Sequence, residues 1–209
     1  LLSFKNLGVR DINLESSNVV LRKRFIKGKV VSLRATEKSG LKIRDLEADF
    51  FLNSFKTVAK NMRFQSNKSR LRGDLKFEYK HMREYLRFAA WVNVKANMKR
   101  SNISINDLAY FTENLKQWKH LDVAFTTNAI GTMNDLNLNS LAASLNKNKL
   151  KVNGSMRVMD LFSGKGLNTI ANLDNVHFDK SDIEYVFQKS GLPPELDRLG
   201  RMTYDGRFE

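Results

Sequence analysis

Alternation of apolar and polar residues is the dominant signal along the chain. From Ser69 to Lys80 the sequence reads SRLRGDLKFEYK: Leu71, Gly73, Leu75, Phe77 and Tyr79 share one parity, and Arg72, Asp74, Lys76, Glu78 and Lys80 the other. Successive side chains of a strand point to opposite faces, so this stretch predicts a strand with one apolar and one charged face. From Trp91 to Lys99 the pattern recurs, with Val92, Val94, Ala96 and Met98 against Asn93, Lys95, Asn97 and Lys99. Leu121, Val123, Phe125, Thr127 and Ala129 form a third set, and Leu150, Val152, Gly154, Met156 and Val158 a fourth. A helical period scatters all four sets around the axis.

Weaker alternation predicts further strands. Val31, Leu33 and Ala35 share a parity, as do Leu46, Ala48, Phe50 and Leu52, with a switch between Ile43 and Leu46 that one extra residue in a bulge would produce. Val9–Ile12 and Met62–Phe64 read as short strands. Turn residues separate these runs at Ser16-Ser17-Asn18, Ser39-Gly40, Ser66-Asn67-Lys68 and Asn146-Lys147-Asn148. Two stretches break the alternation, Ser104–Phe111 and Ser181–Phe187. Each opens with a Ser followed three residues later by Asp107 or Glu184, a capping-box spacing that predicts a short helix. His81–Ala90 is a third helical stretch.

The landmarks recur in order. Ile103, Asp107, Leu108, Tyr110, Leu121 and Gly131 match Phe178, Asp182, Ile183, Tyr185, Leu196 and Gly206 at one constant offset, and Leu71–Tyr79 resembles Leu150–Val158. The economical description is an internal repeat of strands, capping helix and strands again. It divides the chain into repeat units over 1–120 and 121–192, with the start of a further unit over 193–209.

Composition narrows what such strands can be for. The 209 residues are 42% hydrophobic with 2 Pro, too apolar for a disordered basic tail. The longest apolar run, Phe88–Val92, is far below the ~20 residues of a membrane-spanning helix. With no Cys, disulfides, thiolate nucleophiles and Cys-ligated zinc are excluded. The chain opens on Leu1 in mid-pattern, which reads as a fragment of something longer. The formal net charge of +14 suggests nucleic acid or an anionic membrane surface. Yet Lys and Arg alternate along the polar face of each strand with no concentrated stripe or stacking platform, so a solvated basic face is favoured over nucleic-acid binding.

Catalytic and metal chemistry find little support. His81, His120 and His177 sit in no ligand-spaced pair, so no metal is expected. Ser163-Gly164-Lys165-Gly166 lacks the flanking strand and helix of a phosphate loop and reads as an ordinary loop. No nucleophile–base spacing stands out, so neither an enzyme nor a cofactor is expected.

The apolar faces must leave water. Periodicity alone leaves two outcomes open: a sandwich whose two sheets fill one another, or one long curled sheet with an apolar gutter. About ten strands ~4.8 Å apart would make a gutter roughly 50 Å long, which implies a greasy ligand or a partner.

The run GTMNDLNLNSLAASLNKNKLKVNGSMRVMDL, from Gly131 to Leu161, resembles the repeating pattern of the TamB/AsmA-like superfamily: a Gly, an Asp-Leu step, alternating strands, an Asn-rich turn and an L-x-V-x-G strand. MRFQSNKSRLRGDLKFEY, from Met62 to Tyr79, carries the same pattern around Ser69, Leu71 and Gly73, and LPPELDRLGRMTYDGRFE from Leu192 resembles the start of a next unit. The Asn- and Lys-rich flavour is similar to members from Bacteroidota. The resemblance implies an all-β fold, an elongated antiparallel β-taco or U-shaped curled sheet with a hydrophobic groove and two or three short helices. It also implies a periplasmic protein, tethered to the inner membrane by a segment not present here, that conducts phospholipid acyl chains towards the outer membrane. An Omp85-family, TamA-like outer-membrane barrel would be the partner, met through regions outside this sequence and tied to outer-membrane protein assembly. Leu71, Leu75, Phe77, Val92, Val94, Val123, Phe125, Leu150, Val152, Met156 and Val158 would then line the groove. A structural or adhesive β-repeat with a filled core is the alternative, and a basic nucleic-acid-binding domain a further one.

Overall fold

The four strongly alternating stretches all form strands, and the weaker ones join them in a single sheet. The computed structural model describes residues 8–145, 150–163, 166–188, 193, 195–198 and 200–208, without the side chains of Leu196 and Asp197. The expected Asn146-Lys147-Asn148 turn, Gly164-Lys165, Leu192 and Leu199 lie outside these residues. The strands are β1 (Val9–Arg22), β2 (Phe25–Glu37), β3 (Lys42–Ile43), β4 (Asp45–Asn53), β5 (Lys56–Gln65) and β6 (Arg70–Glu78), then β7 (Asn93–Ser104), β8 (Asp122–Thr132), β9 (Asp135–Leu145), β10 (Leu150–Met159), β11 (Asn168–Phe178) and β12 (Met202–Phe208). Sheet order follows chain order from β1 to β12, with β3 beside β2, and every pairing is antiparallel. The fold is an all-β, open, curled sheet with few helices.

Because the strands follow one another, their connections alternate between two edges of the sheet. Residues 23–24, 54–55, 79–92, 133–134, 160–163 and 166–167 lie along a first rim; 38–41, 66–69, 105–120, 179–188, 193, 195–198 and 200–201 lie along a second.

A line of backbone irregularities crosses the sheet between the rims. On β5, β7, β9 and β11 the register shifts beside Asn61, Arg100, Ser140 and Asn175, each left-handed with φ between +46° and +53°. Each is a bulge, in which one extra residue bends the strand and tightens its twist. Two of the strands between them, β6 and β10, answer with a glycine. Gly73 on β6 faces Met62 and Met98, and Gly154 on β10 faces Leu141 and Leu173. Both glycines are at positive φ (+145° and +139°), and a Cβ added to either would stand 2.0 Å from a backbone oxygen, of Asn97 or Asn172. The backbones approach that closely only where the side chain is missing.

The bend also locates the core. Ala48, Met62 and Met98 are buried there, with Leu46, Ala59, Phe64, Leu71, Leu75, Ala96 and Phe125 packed against them. The opposite, convex face is charged and knit by ion pairs, all of them between strands except Lys76–Glu78 within β6. Glu47 joins Lys29 and Arg63 at 2.9 and 3.5 Å, Glu78 joins Lys76 and Lys95 at 2.5 and 2.9 Å, and Asp135 holds Arg157 at 2.7 Å.

Several local expectations change. No turn interrupts β1 at Ser16–Asn18; the strand runs through it with a bulge at Asn18 (φ +53°). The parity switch before Leu46 takes the form of a break between β3 and β4 at Arg44. The helical stretch expected from His81 is a 3₁₀ segment, Met82–Arg87, continuing into α1 (Phe88–Trp91), so Trp91 is helical and β7 begins at Asn93. A short helix α2 (Ile105–Leu108) follows Ser104, but Ser104 makes no side-chain cap. Helix α3 (Lys180–Phe187) is capped by Asp179 with Asp182, not by Ser181 with Glu184; Ser181 instead donates to Asp179 at 2.6 Å. With α4 (Glu195–Arg198), the α-helices number four among the described residues, and Glu113–Trp118 adds a second 3₁₀ segment.

The bend supplies a test. A Gly73→Ala chain meets both the left-handed penalty and the Asn97 oxygen, and should lose about 3 kcal/mol of stability in urea unfolding. Asn61→Gly keeps the bulge conformation and should stay within about 1 kcal/mol of the parent.

Candidate apolar groove

All the residues expected to line a groove lie on or beside the concave face. The register pairs Leu75 with Ala96, Phe77 with Val94 and Gly73 with Met98 across β6 and β7. It then pairs Phe125 with Ala143 and Val123 with Leu145 across β8 and β9, and Val152 with Ala143 and Val158 with Leu136 across β9 and β10. Ten of the eleven residues therefore fall on one side of one sheet, and Val92 directly precedes β7 beside them. Leu71, Leu75, Phe77, Val123, Phe125, Leu150, Met156 and Val158 are half-buried there, whereas Val92, Val94 and Val152 are buried. On β1 the same face is open to solvent: Leu14, opposite Leu33, and Leu21, opposite Ile26, are 57% and 72% exposed.

Two of the buried residues owe their burial to a cover that the alternation conceals. The segment from Met82 to Trp91 turns inward at the first rim, and Val92 and Val94 form a cluster with Tyr79 and Phe88 that also gathers Phe77, Tyr85 and Met133. Phe77 and Phe88 meet edge-on at 5.2 Å. The polar ends of the two tyrosines converge on Thr57 Oγ1, 3.1 Å from the Tyr79 hydroxyl and 2.7 Å from that of Tyr85, and Tyr79 also donates to Asn53 O at 2.9 Å. Burial pushes the Tyr85 hydroxyl up to about 12, against the opposing effect of its Thr57 hydrogen bond. Here the groove is plugged by its own chain.

A second cover runs between the rims. The connection from Ile105 to His120 leaves and rejoins the sheet at the second rim, yet Thr112 Oγ1 donates to Leu161 O at 3.1 Å and Asn114 Nδ2 reaches Asp160 O at 3.4 Å, both on the first rim. The convex residues of β8 (Ala124, Thr126, Asn128 and Ile130) are exposed, so the connection crosses the concave side. It forms a strap joining the two walls. Leu115 on the strap and Phe162 beside its anchor are buried.

Asp107 ties the strap's root to the second rim. Its Oδ2 accepts from Ser66 Oγ (2.5 Å), Ser69 Oγ (2.8 Å), Ser69 N (2.9 Å) and Lys68 N (3.0 Å). Ser69 Oγ in turn accepts from Ser104 N at 3.0 Å. The spacing that suggested a cap inside α2 thus serves a contact between neighbouring turns. Burial acts to raise the Asp107 pKa, but the bonds from Ser66, Lys68 and Ser69 outweigh it and hold the carboxyl below its ordinary value.

The histidines are apart. His120 meets Tyr185 O and the Gln188 amide at 2.9 and 2.7 Å, while His177 meets Thr203 at 2.8 Å. Among the described residues no group of three His, Cys, Asp or Glu is placed to hold a metal ion, and no helix is long and apolar enough to cross a membrane. No family model matches the chain, no curated protein matches it, and no solved structure matches its fold.

Removing the Asp107 carboxylate strands four donors in a buried site, so Asp107→Ala should cost about 3 kcal/mol or more, read from chemical unfolding. Because the folded pKa is depressed, the stabilisation is complete above the unfolded carboxyl value of about 4 and is lost as pH falls through the folded value. In Asp107→Ala that component of the acid-unfolding profile should vanish.

Proposed function

We propose that this chain is a segment of a periplasmic, bridge-like lipid-transfer protein of the TamB/AsmA type, conducting phospholipid acyl chains along the concave face of its sheet. The observation that carries the reading is the apolar face of a single curled sheet, on which eight of the eleven expected lining residues stay half-buried. A face of that kind, open at β1 and roofed by the strap further along, suits a long apolar ligand better than a compact one.

The mechanism is solvation without a specific pocket. Each shielded CH₂ contributes about 0.8 kcal/mol, so two acyl chains are held without one dedicated site. Neighbouring strands offer similar side chains at ~4.8 Å intervals, which lets a chain slide with little barrier. Headgroups would stay in water at the rims. The strap would confine the acyl chains between β7 and β10. A TamA-like barrel and an inner-membrane tether belong to the proposal as parts outside this sequence, as does a role in outer-membrane protein assembly.

A structural β-repeat with a filled core is the second reading, favoured by the self-plugged stretch around Val92 and Val94. Lipid extraction and mass spectrometry of the purified protein separate the two, since a filled core carries no acyl chains. Adjacent residues on β8 sharpen the test, because Phe125 points into the groove and Ala124 away from it. Phe125→Asp should reduce phospholipid transfer between vesicles at least tenfold, as a charge in an apolar channel is costly. Ala124→Asp should leave transfer unchanged. Equal effects from both would sink the conduit.

A further inference from the structure

The first rim differs from the second in a way the groove does not explain. Over residues 21–25, 53–56 and 80–91 it carries seven basic residues, Arg22, Lys23, Arg24, Lys56, Lys80, Arg83 and Arg87, against one acidic residue, Glu84. Over the described stretches 38–41, 66–69, 105–120 and 179–188 the second rim is balanced, with five residues of each sign.

The same part of the first rim exposes large apolar side chains. Leu21 is 72% exposed, Phe55 64%, Trp91 51% and Met82 50%. Phe55 stands at the tip of the β4–β5 hairpin, and its carbonyl accepts from Tyr79 N at 3.0 Å, which brings that tip against the segment carrying Met82 and Trp91. The β1–β2 turn lies beside the same tip, because Phe25 pairs with Asn53. Successive tips are two strand spacings apart, about 10 Å, so the residues form one continuous border. Arg87 lies over the Trp91 ring at 4.8 Å, an arrangement that keeps cation and indole together at one level.

Protruding Leu, Phe, Met and Trp side chains interleaved with Lys and Arg are unfavourable in water and fit a boundary that is apolar below and anionic above. We infer that this stretch of the first rim docks on an anionic lipid bilayer, with Phe55 and Trp91 entering the headgroup–acyl boundary and Lys23, Arg24 and Arg83 facing lipid phosphates. Charge complementarity selects the anionic surface, and the bulky apolar tips select a bilayer over a nucleic acid, which offers them no apolar depth. The inference does not depend on what fills the groove, since Lys23, Arg24 and Phe55 sit in turns beyond the strand ends and Trp91 is exposed.

The test is co-sedimentation of the 209-residue chain with phosphatidylcholine vesicles, with and without an equal part of phosphatidylglycerol. Binding is expected only with the anionic lipid. Lys23→Gln with Arg24→Gln should weaken it on the order of thirtyfold, and Phe55→Ser with Trp91→Ser about tenfold. All four residues are outside the core, so circular dichroism of the variants should match the parent. In a Trp118→Phe chain, Trp91 emission should shift to the blue on vesicle binding. Absence of binding to anionic vesicles overturns the inference. So does weakening by the charge variants alone with no effect of the apolar pair, the result expected of a general polyanion site such as one for an oligonucleotide. Phe125→Asp should leave vesicle binding intact, so the rim and the groove succeed or fail separately.

Discussion

One sheet must turn back on itself, and the close approach of backbones along a single transverse line makes that possible. At Gly73 and Gly154 a β-carbon would collide with the carbonyl oxygens of Asn97 and Asn172, so those strands can bend only where the side chain is absent. Their neighbours bend by the opposite device, an extra residue held left-handed at Asn61, Arg100, Ser140 or Asn175. Asparagine tolerates that conformation better than most residues, which explains its recurrence. The bulges and the glycines lie on one line, with Thr127 of β8 buried between them, so the bend is continuous across these strands. Buried apolar residues then gather at the fold line, and the walls on either side stay half-open.

What holds the walls is polar and local. Asp107 fastens the root of the strap to the Ser66–Ser69 turn, and Thr112 with Asn114 fastens its far point to the carbonyls after β10. The concave face therefore has three regimes: open at β1, plugged beside Val92 and Val94, and roofed beneath the strap. The proposed conduit depends on the first and third, while the scaffold reading draws on the second. The convex face works differently, since its charges pair across neighbouring strands at exposed sites and add little to stability individually.

Legibility followed the bulges. The stretches now seen as β6, β8 and β10 alternate cleanly because no extra residue interrupts them. In β9 the apolar set passes from Leu138 to Leu141, and in β11 from Leu173 to Val176; the bulges at Ser140 and Asn175 switch the parity, so a period-two reading passes over both strands. The same switch, from Ala59 to Met62 and from Met98 to Ser101, truncates β5 and β7 in the sequence. An apolar spacing of three with a polar residue just before the second member is the signature that would have recovered β5, β9 and β11, while in β7 the second member is Ser101. Among the expected lining residues, alternation placed all eleven on or beside one face but could not separate Val92 and Val94 from the rest, because period-two parity does not show that the helical segment just before them folds back over the face.

By itself the sequence determined what depends on neighbours along the chain: alternating strands, their facing, the basic outer surface, and a helix after Ser104 and again near Ser181. Tertiary structure decided what depends on neighbours across the sheet. It turned Asp107 from a helix cap into a fastener between turns, made Gly73 and Gly154 the hinge points of a curve, and laid residues 105–120 across the groove. Side-chain parity is a property of one strand, whereas close approach, burial and hydrogen-bond partners exist only once several strands stand side by side.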